Sequence, residues 1–345
     1  MKRFIQIIYM ILMRWSPKFL KSGVKKATFV VGKKPSVGTL RILPDMFPSG
    51  YKGGLTISAD FELGWAFRYA KDGSSVEKKA AQSRENVPVL LKLFEAYSIP
   101  VTWATVGHLF LKSCRHGDHD WLHRIPYFEN KYWSYKSGDW YDCDPYTSWQ
   151  EAKSWYAPDL LERILQSKLA HEIGCHTFSH IDMSYQHCPS IVAEDEIKAC
   201  VAIAEEWGLS LKSFVFPAGT YGNFEVLKKY GIQAYRKRMN YELGVPFRDQ
   251  HDLLVVPSSS GLDDNGLGWT PDYFIRRYKK YIDKAVETHT LCHFWFHPSF
   301  SAWFLDQVFP GVLKHAAEKR ASGDLWIGTM GQLSALAMNK ALPSN

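Results

Sequence analysis

Three short stretches of the chain carry side chains able to share one ion or pass one proton. In LTISADFELGW, residues 55–65, Asp60 and Glu62 stand two positions apart. At the end of an extended strand that spacing turns both carboxylates to one face. Two negative charges there repel unless something positive sits between them, although the same acids also suit an ordinary turn that caps a helix. In HEIGCHTFSH, residues 171–180, His176 and His180 stand four apart. On a helical turn both imidazoles then project from one face and can share an ion. Thr177 fits as the cap of such a turn. Two His with one carboxylate make a common open catalytic metal set, three protein ligands with water in the remaining position. In THTLCHFWFHPSF, residues 288–300, alternation puts Cys292, Phe294 and Phe296 on one face and His293, Trp295 and His297 on the other. His297 then lies at the carboxyl end of its strand, where barrel active sites are found; a buried, hydrogen-bonded His is the plainer reading of that position. His116, Asp118, His119, Asp120 and His123 also cluster around Gly117, but on no strand or regular helical face, and read as a solvated loop.

The elements that must hold these groups alternate. Strand-like apolar runs recur at Leu55–Asp60, Pro100–Val106, His171–Cys175, Ser213–Pro217, Gln233–Arg236, Leu253–Pro257, Leu291–Phe296 and Asp324–Gly328. Helical patterns lie between several of them, at Ser83–Tyr97, Pro158–Ser167, Ile191–Trp207, Asn223–Tyr230 and Pro271–Glu287. This rhythm predicts an α/β fold with a parallel sheet closed as a barrel of eight or so units, with an open doubly wound sheet as the alternative. Residues 112–158 break the rhythm. They are dense in Trp, Tyr, His and Asp, too long for an ordinary connection, and predict an elaborated loop that carries substrate contacts. With no internal repeat or long linker, residues 50–340 read as one domain.

The net charge of +7 is confined to one end. Residues 1–40 hold nine Lys or Arg and no acid, and the remainder carries 33 basic against 35 acidic residues. A basic stripe on the folded body is therefore not expected, and neither is a nucleic-acid partner. The tail begins MKRFIQIIYMILMRW, and its ten-residue apolar run is too short to span a bilayer. No small-residue cleavage pattern follows, so residues 1–26 read either as an interfacial amphipathic helix on anionic lipid or as a poorly ordered terminus. The six cysteines show no CxxC pair and no framework spacing, which predicts free thiols and a reducing, cytoplasmic setting. Thirteen Trp and eighteen Tyr supply more flat faces than a core needs, a surface on which sugars stack.

Taken together and in this order, the three stretches resemble the NodB-like polysaccharide deacetylases, in the branch whose first motif is a spaced Asp-x-Glu. SIPVTWATVGHLFL is similar to that family's second strand, FVFPAGTYGNFEVLKKYGIQAYR to its third motif, and DLWIGTMGQLSAL to its last strand and helix. The resemblance runs from about Gly54 to Leu336. It implies a distorted (β/α)7-type barrel, a divalent ion (Zn²⁺ foremost) held by Glu62, His176 and His180, and Asp60 as catalytic base, with the roles of the two acids open to exchange. It further implies His297 as proton donor to a leaving amine, a backbone N–H near Ala218 for the oxyanion, and an N-acetylated sugar as substrate. One departure is plain. The third motif of the family carries an Arg that positions the base, and Val215 and Phe216 occupy that stretch here. Arg68, Arg236 and Arg238 are the three substitutes open at this point. The expected activity is hydrolysis of an N-acyl group on a surface polysaccharide or its lipid- or nucleotide-linked precursor. Cleavage of small cyclic amides of the allantoin type and a catalytically inactive carbohydrate-binding relative are the alternatives.

Overall fold

Strand β1, Gly53–Phe61, is buried along its whole length and organises the rest. Its odd positions Leu55, Ile57, Ala59 and Phe61 face the helical layer, and its even positions Thr56, Ser58 and Asp60 face inward. In the computed structural model, which describes residues 46–48, 50–68, 75–128, 139–239, 243–264, 266 and 268–338, β1 pairs in parallel on both of its sides. One side meets β9, Leu291–Phe296, and the other meets β2, Thr102–Thr105. Parallel pairing then continues from β2 to β3 (Glu172–Cys175), β4 (Ser213–Val215), β5 (Ala234–Arg238) and β7 (Leu254–Ser258). The short β6, Phe247–Arg248, lies antiparallel on β7, and β10, Leu325–Ile327, pairs with the start of β1.

The two ends of this sheet meet through the chain itself. β7 runs across Ser259 into β8, Ser260–Gly261, which pairs in parallel with β9. Ser259 N–H donates to His293 O at 2.8 Å and Leu262 N–H to Trp295 O at 2.7 Å, so the seam is hydrogen-bonded where the strand is short. The result is the distorted seven-unit barrel that the resemblance implies, not an open sheet. Registers carry the inward set around the ring: Ser58 opposes Thr102 and Trp295, Ser213 opposes Ala234, and Val215 opposes Arg236. Gly174 belongs to that set, and a Cβ there would meet Ser213 Oγ at 2.6 Å.

Helices cover the outside. α1, Val76–Tyr97, starts at Ser75, whose Oγ accepts from Lys78 N–H, and stops at Ser98 with φ 53. α2 (Pro158–Leu165), α3 (Ser190–Glu206), α4 (Phe224–Lys229) and α5 (Pro271–Thr288) follow, the last capped by Thr270. Then come α6 (Ala302–Gln307), α7 (Phe309–Ala321) and α8 (Met330–Met338). α8 sets Met330, Leu333 and Ala337 among the inward residues Ala104, Val215, Ala234, Leu254, Val256 and Leu291. Its start is tied by Met330 N–H to Thr102 Oγ1 and Gly331 N–H to Glu172 Oε2. That packing closes the end of the barrel away from the carboxyl ends of the strands.

The expected strands lie within a few residues of the observed ones. α1 begins seven residues before its expected start, because the Ser75 cap, not an apolar stripe, sets its first turn. α6 and α7 were not expected. α7 opens on Phe309-Pro310, a proline in the first turn that suits a helix start but reads as a breaker in sequence. No disulfide joins any of the six cysteines, and five of them are buried. Of the long connection, residues 112–128 and 139–157 contain no helix or strand beyond the single bridge between Ser113 and Ser148. The basic tail 1–40, with its expected membrane contact over 1–26, lies outside the described residues.

Candidate active site

Asp60 is 4% exposed at the carboxyl end of β1, with nothing apolar able to solvate its charge. The compensation comes from β5. Arg236 makes a two-pronged pair with it, Nη1 to Oδ1 at 2.5 Å and Nη2 to Oδ2 at 2.6 Å. Nη1 also donates to Ser58 Oγ at 3.0 Å, and Ser58 Oγ lies 2.9 Å from His293 Nε2. The guanidinium carbon sits 5.0 Å from the Trp295 ring centre. Burial pushes the Asp60 carboxyl up, but the Arg236 charge and hydrogen bonds outweigh it and hold the carboxyl below its ordinary value. Of the three arginines open from sequence, then, Arg236 is the partner. Arg68 instead donates to Trp65 O and Ser179 O, and Arg238 offers its backbone N–H to Tyr221 Oη.

Glu62 follows one residue after the strand and is 5% exposed. Its Oε2 lies 3.1 Å from His176 Nε2 and 3.1 Å from His180 Nε2. His176 Nδ1 is 2.7 Å from Val215 O, and a carbonyl only accepts, so that nitrogen carries the ring proton. In the neutral ring Nε2 is then a lone pair aimed at a carboxylate oxygen. The pKa of His180 is pulled down to about 4, chiefly by burial. The His176 lone pair and His180 Nε2 converging on one carboxylate oxygen fit a cation among the three, and the Val215 carbonyl is the outer partner that such a His ligand requires. His297 stands at the rim with its side chain 41% exposed, its Nε2 3.4 Å from Glu62 Oε1 and 3.7 Å from Asp60 Oδ2. It is thus neither buried nor remote. All five residues singled out from the sequence, Asp60, Glu62, His176, His180 and His297, converge on one end of the barrel.

The route by which His176 and His180 meet differs from the expected one. Residues 176–180 are not a helical turn, because Thr177 (φ 59) and His180 (φ 56) both sit in the left-handed region. For a β-branched residue that conformation is a strained outlier of the kind found at functional sites. The loop is held from behind. Glu196 of α3 accepts from Ser179 N–H at 2.8 Å and from Ser179 Oγ at 2.6 Å, and Tyr141 Oη donates to it at 2.9 Å. Trp140 Nε1 donates to Ser179 O at 2.9 Å. On the other side Asn86 of α1, 3% exposed, donates to Pro298 O at 2.7 Å and Phe300 O at 2.9 Å, fixing the turn just past His297. Sequence reading missed Asn86, Glu196 and Ser58; a lone polar residue inside a helical or strand pattern is the only signal they give. Ala218, the expected oxyanion neighbour, lies in the turn after β4 with φ 49.

The long connection divides the loop aromatics differently from expectation. Trp140, Tyr141 and Tyr156 are core residues, because their polar ends find partners inside the molecule. Trp121 and Tyr127 are exposed, and Tyr127 and Phe128 line a cleft with Tyr185 and His187. The histidine-rich group around Gly117 is not all solvated either. His119 is 5% exposed and faces Asp144, while His123 pairs with Asp195 at 2.7 Å.

Residues 72–235 match the family profile described as Polysaccharide deacetylase. No curated protein matches the chain. Among solved structures the chain is similar to a Mycobacterium smegmatis protein assigned as a polysaccharide deacetylase, at 15% identity and a TM-score of 0.60 over 87% of this chain and 94% of that one. It is similar to the Puue allantoinase at 14% identity and a TM-score of 0.59, over 85% and 93%. A Pseudomonas aeruginosa PAO1 protein assigned as a polysaccharide deacetylase gives the same identity, TM-score and coverage. At these identities the structural likenesses speak for the fold. The matched segment contains His176 and His180, whereas Asp60, Glu62, Arg236 and His297 lie outside it.

Proposed function

From the match of residues 72–235 to the polysaccharide deacetylase profile and from the site geometry, we propose that the chain hydrolyses an N-acyl group, foremost N-acetyl, on a sugar of a surface polysaccharide or of its lipid- or nucleotide-linked precursor. The observation that carries this reading is the ionised, Arg-clamped Asp60 set beside the Glu62–His176–His180 triad at the open end of the barrel. Glu62, His176 and His180 would hold a divalent ion, with Zn²⁺ the best match to two imidazoles and a carboxylate. Such an ion polarises an acyl carbonyl and brings the pKa of water toward about 7.

The chain supplies the rest. Asp60, kept as carboxylate by Arg236, takes the proton from the attacking water. Arg236 also fixes the direction of that carboxylate through its two-pronged contact. His297, exposed at the rim and within reach of both acids, gives a proton to the departing amine, so that one group accepts and a different one donates. The turn at Ala218 offers a backbone N–H toward the oxyanion. The cleft of Tyr127, Phe128 and Tyr185 suits the stacking of a sugar ring.

Acetate release from free, nucleotide-linked and lipid-linked N-acetyl sugars tests this directly. Silence across the panel with cleavage of allantoin would reverse the ranking of substrates. Retention of sugar binding, with no hydrolysis of either class in metal-loaded protein, would instead support an inactive carbohydrate-binding relative. A membrane contact through residues 1–26 and a cytoplasmic location belong to the same proposal; a 1–26 peptide that gains no helix on anionic vesicles would remove the membrane contact.

A further inference from the structure

We propose that His108, Cys114, His119 and Asp144 form a second divalent-metal site, of the structural Zn²⁺ type, that fastens the long connection between β2 and α2 to the barrel. The four ligand atoms lie within 4.8 Å of one another and all four residues are buried. Three of the four closest separations are those an ion would impose, and the fourth, His108 to Asp144, is shorter and would open on binding. His108 Nε2 is 2.9 Å and His119 Nε2 3.4 Å from Asp144 Oδ2, while Cys114 Sγ is 3.3 Å from that oxygen and 3.6 Å from His108 Nε2. Donors about 2.0–2.3 Å from a tetrahedral Zn²⁺ stand roughly 3.3–3.7 Å apart. One sulfur, two imidazoles and one carboxylate form a closed four-ligand set with no position left for water, which distinguishes a structural site from a catalytic one.

Two further observations point the same way. His108 Nδ1 lies 3.2 Å from Trp155 O, which fixes the ring proton there and turns the Nε2 lone pair to the cluster, the outer contact that orients a metal-bound His. His119 Nε2 is buried and makes no hydrogen bond among the described residues, although it is aimed into the same space. A buried polar nitrogen left without a bond costs free energy that coordination would recover. Tyr156 Oη donates to Asp144 Oδ1 at 3.1 Å, which steadies the carboxylate. On binding, Cys114 gives its thiol proton to solvent and both rings coordinate as neutral imidazoles through Nε2.

The consequence for the fold is local. His108 belongs to the 3-10 turn Gly107–Phe110 just after β2, whereas Cys114, His119 and Asp144 lie in the connection itself. An ion would bind three loop positions to one scaffold position. The loop residues Trp140 and Tyr141, which brace Ser179 and Glu196 behind His180, stand four and three positions before Asp144.

The test uses the full chain and reads sulfur, because the Glu62–His176–His180 centre contains none. Replacing bound metal by Co²⁺ in the wild-type protein is expected to give a thiolate-to-cobalt charge-transfer band in the near ultraviolet, lost in Cys114→Ser. Metal analysis after dialysis is expected to find about two zinc ions per chain in the wild type and about one in His176→Ala/His180→Ala. Absence of the thiolate band in Co²⁺-loaded wild type overturns the proposal whatever the variants do. So does a double variant that keeps its fold by circular dichroism and retains no zinc. Loss of the first ion leaves the sulfur band in place, so failure of the two centres is told apart.

Discussion

Asp60 and Glu62 are two carboxylates two positions apart in the same buried environment, and their neighbours divide them. Asp60 is held by a guanidinium, Glu62 by two imidazoles. Asp60→Asn should therefore abolish hydrolysis yet leave one zinc at the Glu62 centre. Glu62→Gln should weaken that zinc by more than about a hundredfold, since a missing ligand costs more than a missing outer contact. Metal titration of the two variants checks the division, and the reverse pattern would mean that the acids exchange roles. Arg236→Met should shift the acidic limb of the kcat/KM profile upward. Burial raises the Asp60 carboxyl and Arg236 outweighs it, so without the guanidinium burial wins and a higher pH is needed to ionise the base. The same change strips a buried ion pair of one partner, at about 3–5 kcal/mol. Arg236→Lys should recover part of the profile, having the charge without the fork. At this scale the sequence was readable where chemistry has a fixed local spacing: Asp60-x-Glu62, the His176/His180 pair and His297-Pro298. Arg236 was one of three open choices. It is identified by its register opposite Val215, and register depends on which strands are neighbours.

Elements differ in how well their sequences announced them. Strands with alternating apolar faces, such as Leu291–Phe296, stood out because period two and burial coincide. The His176–His180 loop did not, because its shape comes from two left-handed residues held by Glu196, and nothing in HEIGCHTFSH tells a loop of that shape from a helical turn. Asn86 illustrates a contact between distant elements. It sits inside α1 and holds two carbonyls of the turn after β9. Asn86→Ala should leave both without a partner and cost about 1–3 kcal/mol, read as a lower urea midpoint. It should also lower kcat more than it raises KM, because the turn it fixes carries the proton donor rather than a binding surface. An unchanged kcat in the folded variant would separate Asn86 from His297.

The molecule as a whole should lose stability on mild acidification. Burial pulls His171 down to about 4 and His293 to about 3, from 6.5 in each case. His171 Nδ1 accepts from Val101 N–H at 3.1 Å, a bond that needs the unprotonated nitrogen. Both groups titrate lower folded than unfolded, so the unfolded chain takes up protons first as pH falls. Their contribution is complete above about pH 6.5 and is lost progressively toward pH 4 and below. Urea midpoints from pH 7.5 to 4.5 should fall, and the slope should flatten in His293→Gln. A midpoint independent of pH over that range would show that neither ring is neutral by necessity.

The closed ring of inward positions has a consequence for how relatives of this chain are recognised. Ser58, His293, Val215 and Arg236 come from four strands, yet they lie around one axis, and the distance between two of them does not follow their order in the chain. A role on such a wheel can pass from one spoke to the next with little change in the geometry at the hub. The guanidinium that serves Asp60 stands here on β5, whereas the resemblance implies one beside β4. A sequence that lacks the arginine of that motif should therefore not be counted as inactive until every inward position of its barrel has been searched for a replacement.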